Sequence, residues 1–297
     1  MKKLTIVLAS SLLLFACKKE DPDTTNNGNT GSTGPNIIFK FQFDSSQERL
    51  DNFGNPATIP SGNAAISPTF NSISGHFIEL SPTELTPYME GEQIYKGAET
   101  NVGGDLAIDF DQARIVAAGE EFVSVPISSL TPGTYEYMRV SLSYQNFQIP
   151  FRALSQDLEG TIASFLGYNQ YITSHTIRNK SETLNTDTTQ GYWAFETHDE
   201  GLPVDVDVVS GHAQGTTVVN PINSTSPIPV GSCVVTGEFA NGGFVITGDE
   251  TEDIIVVISL STNQSFEWTE DEEVNGIYDA GETVVDMGIR GLIPIVQ

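Results

Sequence analysis

The sequence is poor in positive charge, in cysteine and in histidine. Its 297 residues hold 13 lysines and arginines against 39 aspartates and glutamates, with only 2 cysteines and 4 histidines. Such a surface repels nucleic acid and anionic headgroups, and no lysine and arginine cluster reverses that locally, so nucleic-acid binding is set aside. Signatures of common chemistry are missing as well: there is no Gly-x-Ser-x-Gly nucleophile elbow, phosphate-binding glycine loop or dinucleotide fingerprint. Ser74-Gly75-His76 and Ser210-Gly211-His212 place serine near histidine twice, but a triad is defined by geometry rather than adjacency. With 39 acids, no pair of carboxylates stands out as a glycosidase couple. Beyond residue 17 the longest apolar run is Ile254 to Leu260, far too short for a helical membrane span. The ending Ile295-Val296-Gln297 lacks the terminal aromatic expected of an outer-membrane barrel.

What the sequence does have begins at its start. MKKLTIVLASSLLLFAC sets two lysines before an apolar and small-residue run, Leu4 to Ala16, and closes on Cys17, the layout of a secretory signal peptide over residues 1–16. Leu14-Phe15-Ala16-Cys17 resembles a bacterial lipobox, although Phe15 replaces the small residue usual there. The resemblance implies cleavage before Cys17, acylation of that cysteine, and attachment to a membrane through the lipid. Lys18-Lys19-Glu20-Asp21 resembles the lysine-plus-acid signal of surface-exposed outer-membrane lipoproteins of Bacteroidota, which implies an outer-membrane protein facing the cell exterior.

Residues 17–36 carry no large apolar side chain between Glu20 and Asn36, so this segment is expected to be a disordered tether reaching roughly 20 to 25 Å. Without Lys2 and Lys3 the chain keeps 11 basic residues against 39 acidic ones, a formal charge of −28 that favours solubility and attracts cations or basic partners. Asp23-Thr24-Thr25 and Asp187-Thr188-Thr189 resemble the short O-glycosylation pattern of Bacteroidota. With Cys17 lipidated, Cys233 has no partner for a disulfide; flanked by valines, it reads as a small buried strand residue.

Residues 37–297 form the folded part. Phe39, Phe41 and Phe43 alternate with polar residues, the period of a half-buried strand. Similar strands are expected at 76–80, 106–110, 122–127, 135–144, 191–195, 233–239, 244–247, 253–260 and 283–289, separated by turn signals such as Asn241-Gly242-Gly243. Many short strands and almost no amphipathic helix predict a mainly β fold, an antiparallel β-sandwich. The segment 156–171 reads either as a short helical insertion or as another buried strand, and a division into two subdomains near residue 155 is open. Leu130-Thr131-Pro132-Gly133-Thr134-Tyr135 before a strand bearing Arg139 resembles a pattern of several β-sandwich lipoprotein families; it implies a fold rather than an activity.

The stretch Asp271 to Glu282, DEEVNGIYDAGE, has the spacing of an EF-hand calcium loop. Asp271, Glu273, Asn275, Asp279 and Glu282 stand at the side-chain donor positions, Gly276 at the sharp turn and Ile277 at the backbone-carbonyl position. The flanking segments are β-like, so the expected role of calcium is a structural staple rather than a moving helix pair. Two other constellations stand beside it. His198, Asp205, Asp207 and His212 supply imidazoles and carboxylates suited to zinc, copper or iron, without a His-x-His or His-x-x-x-His pair to fix geometry. Tyr192, Trp193 and Trp268, with Tyr168, Tyr171 and Phe195 near them in sequence, offer either a sugar-stacking platform or core.

Together these features predict a non-enzymatic, calcium-stabilised surface lipoprotein for ligand binding or adhesion, its partner a glycan or a protein. The alternatives are a carbohydrate-binding accessory protein of a glycan uptake system, and a transition-metal-binding envelope protein or enzyme.

Overall fold

The computed structural model describes residues 34–51, 54–198, 206–213, 233–271 and 273–297, which belong to one compact unit, Ser32–Gln297. The signal peptide, Cys17, nearly all of the tether, the Asp23 motif, Asp199, Glu200 and Asp205 lie outside the described residues.

The described residues are mainly β, with antiparallel sheets packed against one another as in a β-sandwich. In chain order the strands are β1 Asn36–Asp44, β2 Asn63–Ile66, β3 Thr69–Ser81, β4 Glu92–Lys96, β5 Glu99–Thr100, β6 Ala107–Asp109 and β7 Glu121–Pro126. Next come β8 Gly133–Tyr135, β9 Tyr137–Ala153, β10 Gln156–Phe165, β11 Gln170–Thr176, β12 Ser181–Thr188, β13 Tyr192–Thr197 and β14 Val209–His212. The last are β15 Val234–Glu238, β16 Phe244–Ile246, β17 Ile254–Ser261, β18 Phe266–Thr269, β19 Val284–Met287 and β20 Leu292–Val296. Among the described residues helical geometry is confined to two short 3₁₀ turns, Phe110–Gln112 and Ile127–Ser129.

A four-stranded sheet in the order β20-β17-β1-β7 faces a larger sheet ordered β14-β13-β10-β9-β3-β4, with β15 also paired to β9. Phe39, Phe41, Ile258 and Leu260 from the first meet Ile78, Leu80, Met138, Val140 and Leu142 from the second in the main core. The alternation of β1 reads its buried face correctly, since Phe39 and Phe41 are fully buried. Its pairing could not be read that way: β1 runs parallel to β17 and antiparallel to β7.

The seventeen-residue β9 carries a bulge that decides what each face of the large sheet does. Its pairing with β3 steps from Ser74–Tyr144 to Gly75–Leu142, skipping Ser143. One extra residue exchanges the inward parity of a strand. Met138, Val140 and Leu142 therefore face inward before the bulge, and Phe147 and Ile149 after it, where they meet Phe266, Trp268 and Met287 from the small sheet β19-β18-β2. Tyr144, turned to the other face, packs with Phe110, Ala163, Phe165 and Tyr192 beneath the β11–β12 hairpin.

Segment 156–171 resolves into β10 and the start of β11, with no helical insertion. Residue 155 lies in the tight turn of the β9–β10 hairpin, paired from Gln156–Ala153 to Phe165–Tyr144, so one sheet runs continuously across the expected subdomain division. In the Pro-Gly segment, Tyr135 folds back to donate its hydroxyl to the Thr131 carbonyl at 2.7 Å, a bond like that of the tyrosine corner in immunoglobulin-type sandwiches. Arg139 is buried against Glu79 at 2.9 Å and donates to the Glu84 carbonyl at 2.7 Å.

Candidate functional site

The acidic stretch from Glu270 to Thr283 closes a β-hairpin. Thr269 donates its backbone N–H to Thr283 at 2.9 Å, and β18 and β19 pair on either side, so strands rather than helices hold the loop. Phe266 and Trp268 on one face of β18 form an apolar seat on which Tyr278 packs edge-on, at ring-centroid distances of 5.0 and 5.6 Å. The loop is also stitched to the end of β9: Arg152 N–H donates to Tyr278 O and Ala280 N–H to Arg152 O, each at 2.8 Å.

Within the loop the second half of the expected donor set is drawn together. Gly276 has φ +72°, a left-handed turn that suits glycine. The Asn275 side-chain oxygen accepts the Ile277 N–H at 2.7 Å, and its amide donates to Asp279 Oδ2 at 2.9 Å. Glu282 is buried, and its Oε2 accepts the Asp279 N–H at 2.8 Å while the Glu282 N–H donates to the Asp279 carbonyl at 3.0 Å. Burial, then the charge of Glu282, pushes the Tyr278 phenol up.

The first half is arranged differently from the sequence expectation. Asp271 is exposed and accepts the Thr269 hydroxyl at 2.6 Å; that bond, with a second from Thr283, holds its carboxyl below the usual range. Glu273 is exposed. The carboxylate cupped by the turn belongs to Glu270, one residue before the motif, which accepts the Asn275 N–H at 3.1 Å and also the Gly276 N–H. Among the described residues no group of three or more His, Cys, Asp or Glu side chains is gathered in metal-holding geometry. Asn275 and Glu282 each bond to Asp279, so these three lie side by side, whereas Asp271 and Glu273 stand exposed apart from them.

The histidine constellation is taken apart by strand register. In the β13–β14 hairpin Tyr192 faces His212 and Phe195 faces Val209, so His198, beyond the far end of β13, is separated from His212 by about 20 Å at 3.3 Å per residue. His198 bonds instead to the Thr161 hydroxyl at 2.8 Å and lies 3.5 Å from Glu159, while Asp207 and His212 are exposed. Two histidines fourteen positions apart look close in sequence because the hairpin fold is not visible there.

The aromatic platform dissolves into core for the same reason. Trp268 is fully buried and Tyr192 is 5% exposed. On β13 Tyr192 faces the outer cluster while Trp193 and Phe195 face the inner one, with Trp193 packed so closely over Gly211 that a Cβ there would lie 3.0 Å from its ring. Tyr168 is buried against His76, and Tyr171 lies in β11. The Asp187 motif is not presented either: Thr188 is buried, and its hydroxyl donates to the Gln170 carbonyl at 3.1 Å. Cys233 is half-buried and stands just before β15 rather than buried within a strand, and desolvation pushes its thiol up to about 12, in keeping with an inert residue.

A feature invisible in sequence is a buried ionic network behind the loop. Glu267, on β18, accepts from Arg49 and from Arg290 Nη2 at 3.1 Å, and its second oxygen accepts from Asn63 at 2.6 Å. Arg290 also pairs with Asp286 on β19, so the hairpin carrying the loop is bolted by charge to the distant Arg49 and to the residues that follow β19. No family model matches the chain, and no curated protein or solved structure matches it either.

Proposed function

We propose that this chain is a non-enzymatic, lipid-anchored surface protein whose β-domain is stapled by calcium at the Asp271–Glu282 loop and serves ligand binding or adhesion. The observation that carries the calcium reading is the cradle made by Asn275, Asp279 and Glu282 around the left-handed Gly276. A hard cation with six to eight oxygen ligands would add the Ile277 carbonyl, and Asp271, Glu273 or Glu270 would complete its shell. Asp271 and Glu273 are exposed at the loop surface, and the Glu270 carboxylate is already held by the turn. A cation there would offset the mutual repulsion of at least five carboxylates in the described part of the loop.

The staple would act through the two hydrogen bonds at Arg152, tying the β18–β19 hairpin to β9. The lipobox-like Leu14-Phe15-Ala16-Cys17 and the lysine-plus-acid run behind it support lipidation of Cys17 and an outer-membrane, outward-facing location. The acidic surface favours a basic or cationic partner over an anionic one. Thermal melting with calcium or EDTA tests the reading: calcium should raise the melting temperature, and Glu282→Gln should remove that rise.

A further inference from the structure

Outside the acidic loop, two cross-strand pairs face each other at the rim of the outer sheet face. His175 on β11 is paired with Glu182 on β12, and Tyr192 on β13 with His212 on β14; directly opposed residues of antiparallel strands share a face. Three donor atoms converge there. Tyr192 Oη donates to Glu182 Oε2 at 2.6 Å, His175 Nε2 lies 3.4 Å from Tyr192 Oη, and His175 Nε2 lies 3.6 Å from Glu182 Oε2. The exposed His212 packs against Tyr192 with the rings tilted by 54° at a centroid distance of 5.5 Å, and Ser210 bonds to the same phenol.

These separations have a chemical meaning. An ion bonded at about 2.1 Å to each donor holds them about 3.0 Å apart in a tetragonal shell and about 3.4 Å apart in a tetrahedral one. The observed triangle brackets both values. The phenol and carboxylate make a short hydrogen bond, and the imidazole nitrogen adds a long one to the phenol and lies close to the carboxylate, so all three donors point into one small space. His175 and Tyr192 are each 5% exposed, so the donors sit on fixed strands, while Glu182 and His212 keep the site open to solvent. Burial also favours the neutral form of His175, which is the form that binds a metal.

We propose that His175, Glu182 and Tyr192, with His212 closing from solvent, form a binding site for a divalent transition-metal ion of the copper(II) type. Imidazole, carboxylate and phenolate oxygen are donors of the class that copper(II) takes in a tetragonal N,O shell, and copper(II) tops the affinity order of the divalent series. Binding breaks the phenolic O–H of Tyr192, which burial and then the Glu182 bond keep protonated in the metal-free protein, forms the metal–oxygen bond in its place and releases that proton to solvent, with no change in oxidation state. The site is separate from the acidic loop and from the His198 constellation, sharing only His212 with the latter.

The test uses the full chain titrated with copper(II) chloride in the presence of a weak competing chelator, read by visible absorption. One equivalent should produce a phenolate-to-copper charge-transfer band. Tyr192→Phe should abolish the band, and Glu182→Gln, at a partly exposed position that leaves the fold intact, should weaken binding about tenfold or more. His198→Gln should leave band and affinity unchanged. Near-UV circular dichroism establishes that each variant is folded. Absence of the band in the unaltered chain overturns the proposal, as does a band that survives in folded Tyr192→Phe or an isotherm unmoved by Glu182→Gln.

Discussion

Arg139 Nη1 donates to Glu79 Oε1 at 2.9 Å, and neither side chain has any exposure to solvent. The pair lies between β9 and β3, where the two residues are direct cross-strand neighbours, under the segment that carries Tyr88. Burial pushes the Glu79 carboxyl up and the guanidinium pulls it back. Removing one partner leaves a charge uncompensated in a dry site, so Arg139→Met should cost about 3 to 5 kcal/mol of stability. The double change Glu79→Leu with Arg139→Met should recover most of that loss, and urea unfolding of the three chains checks both statements.

Leu154 and Ser155, at the tip of the β9–β10 hairpin, have φ of +50° and +60°, and Leu154 is 98% exposed. Positive φ at both central residues is the conformation that Asn-Gly adopts readily and that a branched side chain resists. Replacing the pair by Asn-Gly should stabilise the protein by about 1 kcal/mol, read as a higher urea midpoint with unchanged slope. A lower midpoint would mean that Leu154 contributes something the turn geometry does not explain.

His175 sets a pH dependence in metal-free protein. Desolvation lowers its pKa below 6.5, only partly opposed by Glu182. A histidine depressed in the folded state binds protons more readily when unfolded, so its contribution is present above pH 6.5 and is lost as pH falls below it. Stability should therefore drop between pH 7.5 and 5.5, and His175→Gln should flatten the drop within that window. Tyr192 and Glu182 face this ring directly, so Glu182→Gln should steepen it.

Much of this architecture was legible in the sequence, and the parts that were not share a cause. The alternation of Phe39, Phe41 and Phe43 gives a buried face because side-chain direction is local, but the parallel partner β17 lies over two hundred residues away and leaves no local trace. The hairpin β11–β12 was missed because its residues are mostly polar and half exposed, as in SETLNTDT, so no apolar alternation marks it. That omission hid His175 and Glu182. The bulge at Ser143 likewise defeats a parity argument: extending the alternation of Val140 and Leu142 would turn Phe147 outward. In the loop, spacing located Asn275, Asp279 and Glu282, while the role of Glu270 depends on a turn only the backbone reveals. Trp268 and Tyr192 looked available for a ligand because sequence does not say which face of a strand meets a second sheet.

Thermal melting of the full chain in EDTA against 10 mM calcium tests the calcium staple. With a dissociation constant of about 0.1 to 1 mM, as in extracellular modules, saturation stabilises by about 1.4 to 2.7 kcal/mol, a rise of roughly 3 to 10 °C. That rise should appear in the unaltered chain, be lost in Glu282→Gln and persist in His198→Gln. A melting temperature that calcium leaves unmoved, or a rise that Glu282→Gln retains in full, would contradict the staple.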